Sequence, residues 1–230
     1  MTLLKKLIPR SVKEAVKSFD RERRMRSAVE GLRRLPEGEA PTAALLSEFE
    51  SAWGADGFRA VGGFLEEVTR RAALTPGPIL EAGSGLTTLL MGLLAGRRGI
   101  QVYTLEHTQE FYEQTRRKLE RNAVGNVNLA LAPLRDYGEF GWYSPPSLEG
   151  FPRDMRLVVA DGPPGGTKGG RFGLMPVMRP HMAADVTILL DDAERPEEQE
   201  CLRRWREEYG VRWEMNSRGG KAWAVCTLGS

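Results

Sequence analysis

The pattern of apolar and polar positions divides the chain near residue 76. In the first part, apolar side chains recur three or four positions apart, which is the spacing of amphipathic helices. This spacing predicts helices over residues 11–35, about 45–53 and 58–73, with a proline-bounded break at 36–41. We therefore expect an N-terminal helical extension over residues 1–75, which begins with a leader at 1–36, and a second domain over residues 76–230.

From residue 76 onward, short apolar runs alternate with longer amphipathic segments. The runs predict strands over residues 78–82, 100–106, 127–131, 155–161 and 185–191. Helices are predicted between and after them, over residues 87–95, 108–122, 174–182 and 196–209. Strands that alternate with helices indicate a doubly wound, mostly parallel sheet. The loop at 133–153 is rich in aromatic residues, which either wall a ligand pocket or cover the sheet edge.

The C-terminal end of the chain breaks this alternation. Residues 211–216 and 221–228 read as two strands joined by the short turn Ser217–Gly220. Parallel strands cannot be joined so tightly, so the pair must be antiparallel. The predicted fold is therefore α/β and Rossmann-like, with a mostly parallel seven-stranded sheet that a C-terminal antiparallel hairpin completes. Nicotinamide-binding folds normally continue with further strand–helix units, which argues against an oxidoreductase.

Charge is distributed unevenly over an otherwise ordinary globular composition, in which 41% of residues are hydrophobic and 28% are charged. Residues 1–36 contain 11 basic and 4 acidic side chains, a net charge of +7, within a chain total of +2. The remaining residues are therefore mildly acidic, and we expect no nucleic-acid partner. Cys201 and Cys226 form no CxxC pair, which predicts reduced structural thiols and neither a disulfide nor a zinc site.

The basic leader has two interpretations that the sequence leaves open. Val12, Val16 and Phe19 form a narrow apolar stripe on the first predicted helix. Residues 1–35 either make a peripheral contact with anionic lipid or an acidic partner, or pack on the body or on a second subunit, which gives a homo-oligomer. No apolar run approaches the ~20 residues of a transmembrane segment, and the first residues lack a signal-peptide core. We therefore expect a cytoplasmic protein.

A glycine-containing turn follows the first predicted strand. Gly83 and Gly85 permit a tight turn and a close backbone approach by a ligand, while Thr87 and Thr88 open the next helix. Backbone N–H groups at that helix start face the same crevice. By itself this arrangement is also compatible with a plain turn.

An acid at the end of the second strand makes the turn more specific. Glu106 lies 21 residues beyond Gly85, where a carboxylate can accept hydrogen bonds from both ribose hydroxyls of an adenosine. His107, the next residue, is expected on the adenosine side of the site or at the surface. Strand, turn, helix, strand and acid at this spacing together predict a nucleotide-type ligand.

The sequence Glu81-Ala-Gly-Ser-Gly85 resembles the first motif of class I S-adenosylmethionine (SAM)-dependent methyltransferases. It has Thr88 where nicotinamide enzymes have a third glycine. The resemblance covers residues 76–228 and implies SAM as cofactor, with Ser84 among the residues that bind it. It also implies that Glu81 lies near the methionine end, where its carboxylate organises bonding to the amino group.

Three further acids follow the last two parallel strands. Asp161 ends one strand, and Asp191 and Asp192 end the next, so their carboxylates are expected to converge and to need a cation or protons. Oxygen ligands suit Mg²⁺ or another hard divalent cation. The alternatives are that Asp161 caps a turn and Asp192 caps a helix.

This acid pattern resembles the metal site of divalent-cation-dependent O-methyltransferases, including catechol and macrolide-sugar types. The resemblance implies metal ligands at Asp161, Asp191 and Asp192 and a metal that lowers the pKa of the acceptor hydroxyl. It departs from catechol-type enzymes at Pro164, where they carry a lysine base. Lys168, in the glycine-rich loop that follows, is either a substitute catalytic residue or a solvated lysine, and the general base stays open.

The sequence as a whole predicts methyl transfer from SAM to a hydroxyl of a small molecule, sugar or glycan, with metal assistance. One alternative keeps the fold but uses Asp161 as a base in a metal-independent O- or N-methyltransferase. Another is a non-catalytic scaffold that binds a partner through its basic N-terminal helix.

Overall fold

The computed structural model describes residues 10–54, 62–144 and 150–229, and these contain seven α-helices and nine strands. The helices are α1 (Arg10–Arg34), α2 (Ala43–Trp53), α3 (Gly63–Leu74), α4 (Leu86–Gly96), α5 (Gln109–Arg121), α6 (Leu174–Met178) and α7 (Pro196–Tyr209). The strands are β1 (Ile79–Ala82), β2 (Val102–Glu106), β3 (Val127–Leu131), β4 (Leu134–Asp136), β5 (Gly141–Tyr143), β6 (Met155–Ala160), β7 (Met182–Leu190), β8 (Val211–Arg218) and β9 (Lys221–Leu228).

Seven of the strands form one sheet in the order β3-β2-β1-β6-β7-β9-β8. The first five run parallel, and β9 lies antiparallel to both β7 and β8. All four residues of β1 are buried, as expected for a central parallel strand that helices cover on both faces. The predicted Rossmann-like fold with a closing antiparallel hairpin is therefore confirmed.

The order of the strands sets the position of the site. Connections from β1 lead to β2 on one side, whereas β6 and β7 lie on the other, so the chain reverses direction across the sheet between β1 and β6. Ala82 is in register with Ala160, and Ala160 with Leu190. The residues that follow these three positions therefore emerge side by side at the carboxyl edge, where open α/β sheets bind ligands.

The aromatic loop at 133–153 contains an element that the sequence did not predict. Strands β4 and β5 pair antiparallel into a small hairpin apart from the main sheet. Each has only three residues, too few for an alternating pattern to be visible. The hairpin packs against the face of the sheet that α6 and α7 cover, with Trp142 and Tyr143 fully buried.

The N-terminal helices cover the opposite face. Buried residues of α1, α2 and α3 share one hydrophobic core with α4 and the sheet, among them Leu32, Phe49 and Leu65. Thr42 caps α2 by accepting a hydrogen bond from the Leu45 N–H. Residues 58–61 of the predicted third helix and residues 1–9 of the basic leader lie outside the described residues. None of the helices in the described ranges is long and apolar enough to cross a bilayer.

Candidate active site

Two glycines face each other where the chain reverses direction. Gly83, after β1, has φ of 90°, and a Cβ there would lie 3.0 Å from the backbone nitrogen of Gly162. A Cβ on Gly162 would in turn collide with the hydroxyl of Tyr143. The Gly162 N–H donates to the Ala82 carbonyl at 2.6 Å. Both positions require glycine because the ends of β1 and β6 approach so closely.

Glu81 stabilises the turn from the buried interior of the protein. Its carboxylate is fully buried and accepts hydrogen bonds from the hydroxyls of Thr87 (2.5 Å), Thr88 (2.6 Å) and Thr104 (2.9 Å). The Gly85 N–H donates to Thr88 Oγ1 at 2.9 Å, which links the turn to the same network. Burial raises the pKa of Glu81 to about 8, although the three hydroxyl donors oppose that change.

Glu106 closes the other side of the turn. Its Oε2 accepts from the Ser84 N–H at 3.0 Å and the Ser84 hydroxyl at 2.8 Å. Its Oε1 accepts from the Thr108 N–H at 2.9 Å and the Thr108 hydroxyl at 3.2 Å, and lies 3.1 Å from His107 Nδ1. Burial alone would raise the pKa of Glu106, but these donors outweigh it and lower the pKa to about 2. The carboxylate is therefore ionised.

The acids that follow β6 and β7 converge as predicted. One carboxylate oxygen each from Asp161, Asp191 and Asp192 lies within 4.8 Å of the others. Burial raises the pKa of Asp161, and the Arg171 charge opposes it. Burial also raises the pKa of Asp191, to about 8, with the charges of Asp161 and Asp192 adding to the effect. The pair Asp161–Asp191 therefore holds a proton near neutral pH.

A buried arginine, which the sequence analysis did not identify, holds this cluster together. Arg171 is 1% exposed and donates to the carbonyls of Asp161 (2.8 Å) and Asp191. Its guanidinium also lies 3.1 Å from Asp192 Oδ2 and 3.7 Å from Glu198 Oε1. Arg171 thus fastens the end of β6 to the end of β7 and supplies the cation that the converging carboxylates require.

Asp192 has two further cationic partners. Arg195 Nη1 lies 3.0 Å from its Oδ2, and Lys221 Nζ lies 3.5 Å from its Oδ1. The residue has φ of 55°, a left-handed conformation that aspartate tolerates better than most residues. Together with Arg171, these partners place three cations around Asp192, which is one of the three predicted metal ligands. They already balance its negative charge. In this arrangement the acids fit a divalent cation poorly.

One cavity of about 290 Å³ joins these groups. Gly83, Ser84, Glu106 and His107 line it on the β2 side, and the acids with Arg171, Arg195 and Lys221 line it on the β7 side. Tyr143 also lines it and is fully buried, yet its hydroxyl has no hydrogen-bond partner among the residues that the structure describes. Burial raises the pKa of Tyr143 well above its ordinary value, so the hydroxyl stays protonated. A buried hydroxyl without a partner, facing a cavity, is placed to bind a ligand.

The structure places the predicted residues unevenly around this cavity. Four of the predicted cofactor-binding residues do not line the cavity but stabilise the turn from the interior of the protein: Glu81, Gly85, Thr87 and Thr88. Lys168, the predicted substitute catalytic residue, does not line the cavity either. Its ammonium reaches the carbonyl of Gly138, in the turn of the β4–β5 hairpin. The glycine-rich loop curls so that Arg171, three residues later, enters the site instead.

One chemical signal for Arg171 was available in the sequence. Several carboxylates buried together need a cation, and the planar guanidinium satisfies several partners better than an ammonium does. No comparable signal identified Tyr143, because its position depends on the short hairpin. Arg195 lies only three residues after Asp192 and reaches it from the residue before α7. Lys221 lies at the start of β9, and only the closing hairpin brings it close to Asp192.

No protein-family model matches the sequence, and no curated protein shows significant similarity to it. Solved structures do match. Cofactor-bound Rv0187 from MTB is similar with a TM-score of 0.58 at 19% identity, over 81% of this chain and 88% of that one. A methyltransferase from Pyrococcus furiosus matches with a TM-score of 0.53 at 21% identity, over 76% and 86% of the two chains. The O-methyltransferase TomG from Streptomyces achromogenes, solved with SAM, matches with a TM-score of 0.53 at 12% identity, over 74% and 82%. The chain therefore has the fold of the SAM-dependent methyltransferases.

Proposed function

We propose that this protein is a SAM-dependent methyltransferase that acts on a hydroxyl of a small molecule or a sugar. The observation that carries the proposal is one cavity with two chemically different sides. Ionised Glu106 lies on one side of β1, and the proton-holding pair of Asp161 and Asp191 lies on the other. The first side suits the diol of a nucleoside, and the second suits proton transfer from an acceptor.

Glu106 can accept hydrogen bonds from the cofactor's ribose and keep the backbone hydrogen bonds that hold its carboxylate in place. A carboxylate offers about four acceptor positions, and four donors occupy those of Glu106. Two are backbone N–H groups that stay, and two are hydroxyls of Ser84 and Thr108 that can rotate away. Ser84 Oγ already lies 3.2 Å from Thr115 Oγ1, which gives it an alternative partner. The two ribose hydroxyls would replace these two donors.

Asp161 is the general base of this proposal. Its side chain is 27% exposed towards the cavity, whereas Asp191 beside it is 3% exposed. Its raised pKa makes Asp161 a stronger base than an ordinary aspartate, which suits a group that takes a proton. When bound, SAM supplies a methyl group on a positively charged sulfur. Asp161 would take the acceptor's proton as the oxygen forms its bond to that methyl group and the sulfur–methyl bond breaks.

Metal assistance, which the sequence predicted, has less support than this metal-independent reaction. Arg171, Arg195 and Lys221 already contact Asp192, so a divalent cation would have to displace them or lie against them. Arg171 performs the charge compensation for which a metal was invoked. The proposed reaction therefore contains no step that uses Mg²⁺.

Calorimetric titration with S-adenosylhomocysteine, with and without Mg²⁺, tests the cofactor assignment. We expect binding in both conditions, and no heat in either would contradict the proposal. Transfer of labelled methyl from SAM to a panel of hydroxylated small molecules and sugars tests the reaction. We expect the activity to survive EDTA and to be lost in Asp161→Asn. Activity that EDTA abolishes and Mg²⁺ restores would instead support the metal-dependent reaction.

A further inference from the structure

Helix α1 carries apolar side chains on two opposite faces. The inner face packs against the body through positions three and four residues apart, all at most 6% exposed: Met25, Ala28, Val29 and Leu32. Val12, Val16 and Phe19 are 48%, 64% and 65% exposed. At about 100° per residue, these three point away from the inner face. The body therefore does not cover them.

The part of α1 that carries these three residues is strongly basic. Residues 10–26 contain seven basic and three acidic side chains. Two of the acids are already paired within the protein: Asp20 with Arg23 (3.1 Å) and Arg24 (2.8 Å), and Glu22 with Arg121 (2.6 Å). Residues 1–9, which lie outside the described residues, are also basic and apolar in composition, with two lysines, three leucines and an isoleucine. Exposed apolar residues thus lie on a helix with a clear excess of positive charge.

We propose that the outer face of α1 binds the surface of an anionic lipid bilayer. Val12, Val16 and Phe19 would enter the boundary between headgroups and acyl chains, while Lys17 and the nearby arginines contact lipid phosphates. A second copy of the chain is a poorer occupant, because it would bring two net-positive helices together. Nucleic acid would pair with the bases but leave the apolar stripe without a partner. This inference concerns a different surface from the cavity and does not depend on the proposed reaction.

Sedimentation of the full chain with vesicles tests the proposal. We expect binding to vesicles of phosphatidylcholine mixed with phosphatidylglycerol, little binding to phosphatidylcholine alone, and weaker binding as salt is added. The double variant Val16→Ser/Phe19→Ser should bind about tenfold less tightly. Lys17→Gln should bind the anionic vesicles about fivefold less tightly. Met215→Ser, at an exposed apolar position on β8, is the matched control and should bind like the parent.

Circular dichroism of each variant establishes that α1 and the body stay folded. Equal binding to both kinds of vesicle would overturn the proposal, as would binding that the double variant leaves unchanged. Analytical ultracentrifugation provides an independent test. A dimer that Phe19→Ser dissociates, with no binding to vesicles, would assign the face to a second copy instead.

Discussion

The guanidinium of Arg171 and the carboxylate of Asp192 form a buried ion pair, with 3.1 Å between Nη2 and Oδ2. Both side chains are at most 7% exposed, so neither charge could be buried without a partner. Arg171 also reaches the carbonyls at the ends of β6 and β7. The ion pair therefore sets both the charge and the shape of the β7 side of the cavity.

Removal of the Arg171 charge should destabilise the protein strongly. In Arg171→Met, four nearby acids, among them Asp192 and Glu198, lose their shared buried cation, and we expect a loss of about 3–5 kcal/mol in the free energy of unfolding. Arg171→Lys keeps the charge but not the planar fork and should lose less. Urea unfolding at pH 7 measures both, and limited proteolysis detects a variant that does not fold.

Arg156→Met is the matched control for this measurement. Arg156 of β6 pairs with Asp185 of β7 at a solvent-exposed position, where an ion pair contributes about 1 kcal/mol or less. Equal losses in Arg156→Met and Arg171→Met would contradict the central place given to Arg171.

Glu106 and Ser84 should respond differently to substitution when S-adenosylhomocysteine binds. Glu106→Ala removes the proposed acceptor of both ribose hydroxyls and should weaken binding at least about tenfold. Ser84→Ala removes a donor that the ribose would replace, so its affinity should be unchanged or higher. Calorimetric titration measures both variants. Equal weakening in both would show that Ser84 contacts the ligand and that the replacement of its hydroxyl is wrong.

Tyr143→Phe separates a ligand contact from a structural role. The substitution deletes only the hydroxyl, which has no hydrogen-bond partner within residues 10–54, 62–144 and 150–229 and belongs to a residue that lines the cavity. We expect the affinity for S-adenosylhomocysteine or for the acceptor to fall about 3–10-fold, while the free energy of unfolding is unchanged or slightly higher. Titration and urea unfolding measure the two effects.

Tyr137→Phe provides the contrast. Its hydroxyl donates to the Tyr143 carbonyl at 3.0 Å, so its loss should cost about 1 kcal/mol of stability. A Tyr143→Phe variant that loses stability and keeps its ligand affinity would refute the ligand contact.

Glu81 should make stability depend on pH in the alkaline direction. Its pKa is raised from 4.5 to about 8, so its contribution is fully present below pH 4.5 and is lost as pH rises through 8. Glutamine does not titrate, so the stability that Glu81→Gln loses relative to the parent should be smaller at pH 9 than at pH 5, by up to about 4 kcal/mol. Urea unfolding at the two pH values tests this. The exposed substitution Glu110→Gln should show a small difference that is the same at both.

The sequence was sufficient to predict where the main strands end and which acids follow them. Apolar runs located β1, β2, β6 and β7, and parallel strands bring their carboxyl ends to one edge. Glu106, Asp161 and Asp191 were therefore expected at that edge of the sheet. The closing hairpin was predicted for an equally local reason, since its turn is too short for parallel strands.

Only the tertiary structure decided what surrounds those acids. The glycine-rich loop has no periodicity, so no pattern of spacing shows that Lys168 reaches Gly138 while Arg171 enters the cluster. Tyr143 reaches the cavity through a three-residue strand too short to predict. The exposure of Phe19 likewise depends on which face of α1 meets the body. The spacing of apolar residues indicates whether a position is buried. Which residues that position then contacts depends on parts of the chain that are far apart in sequence.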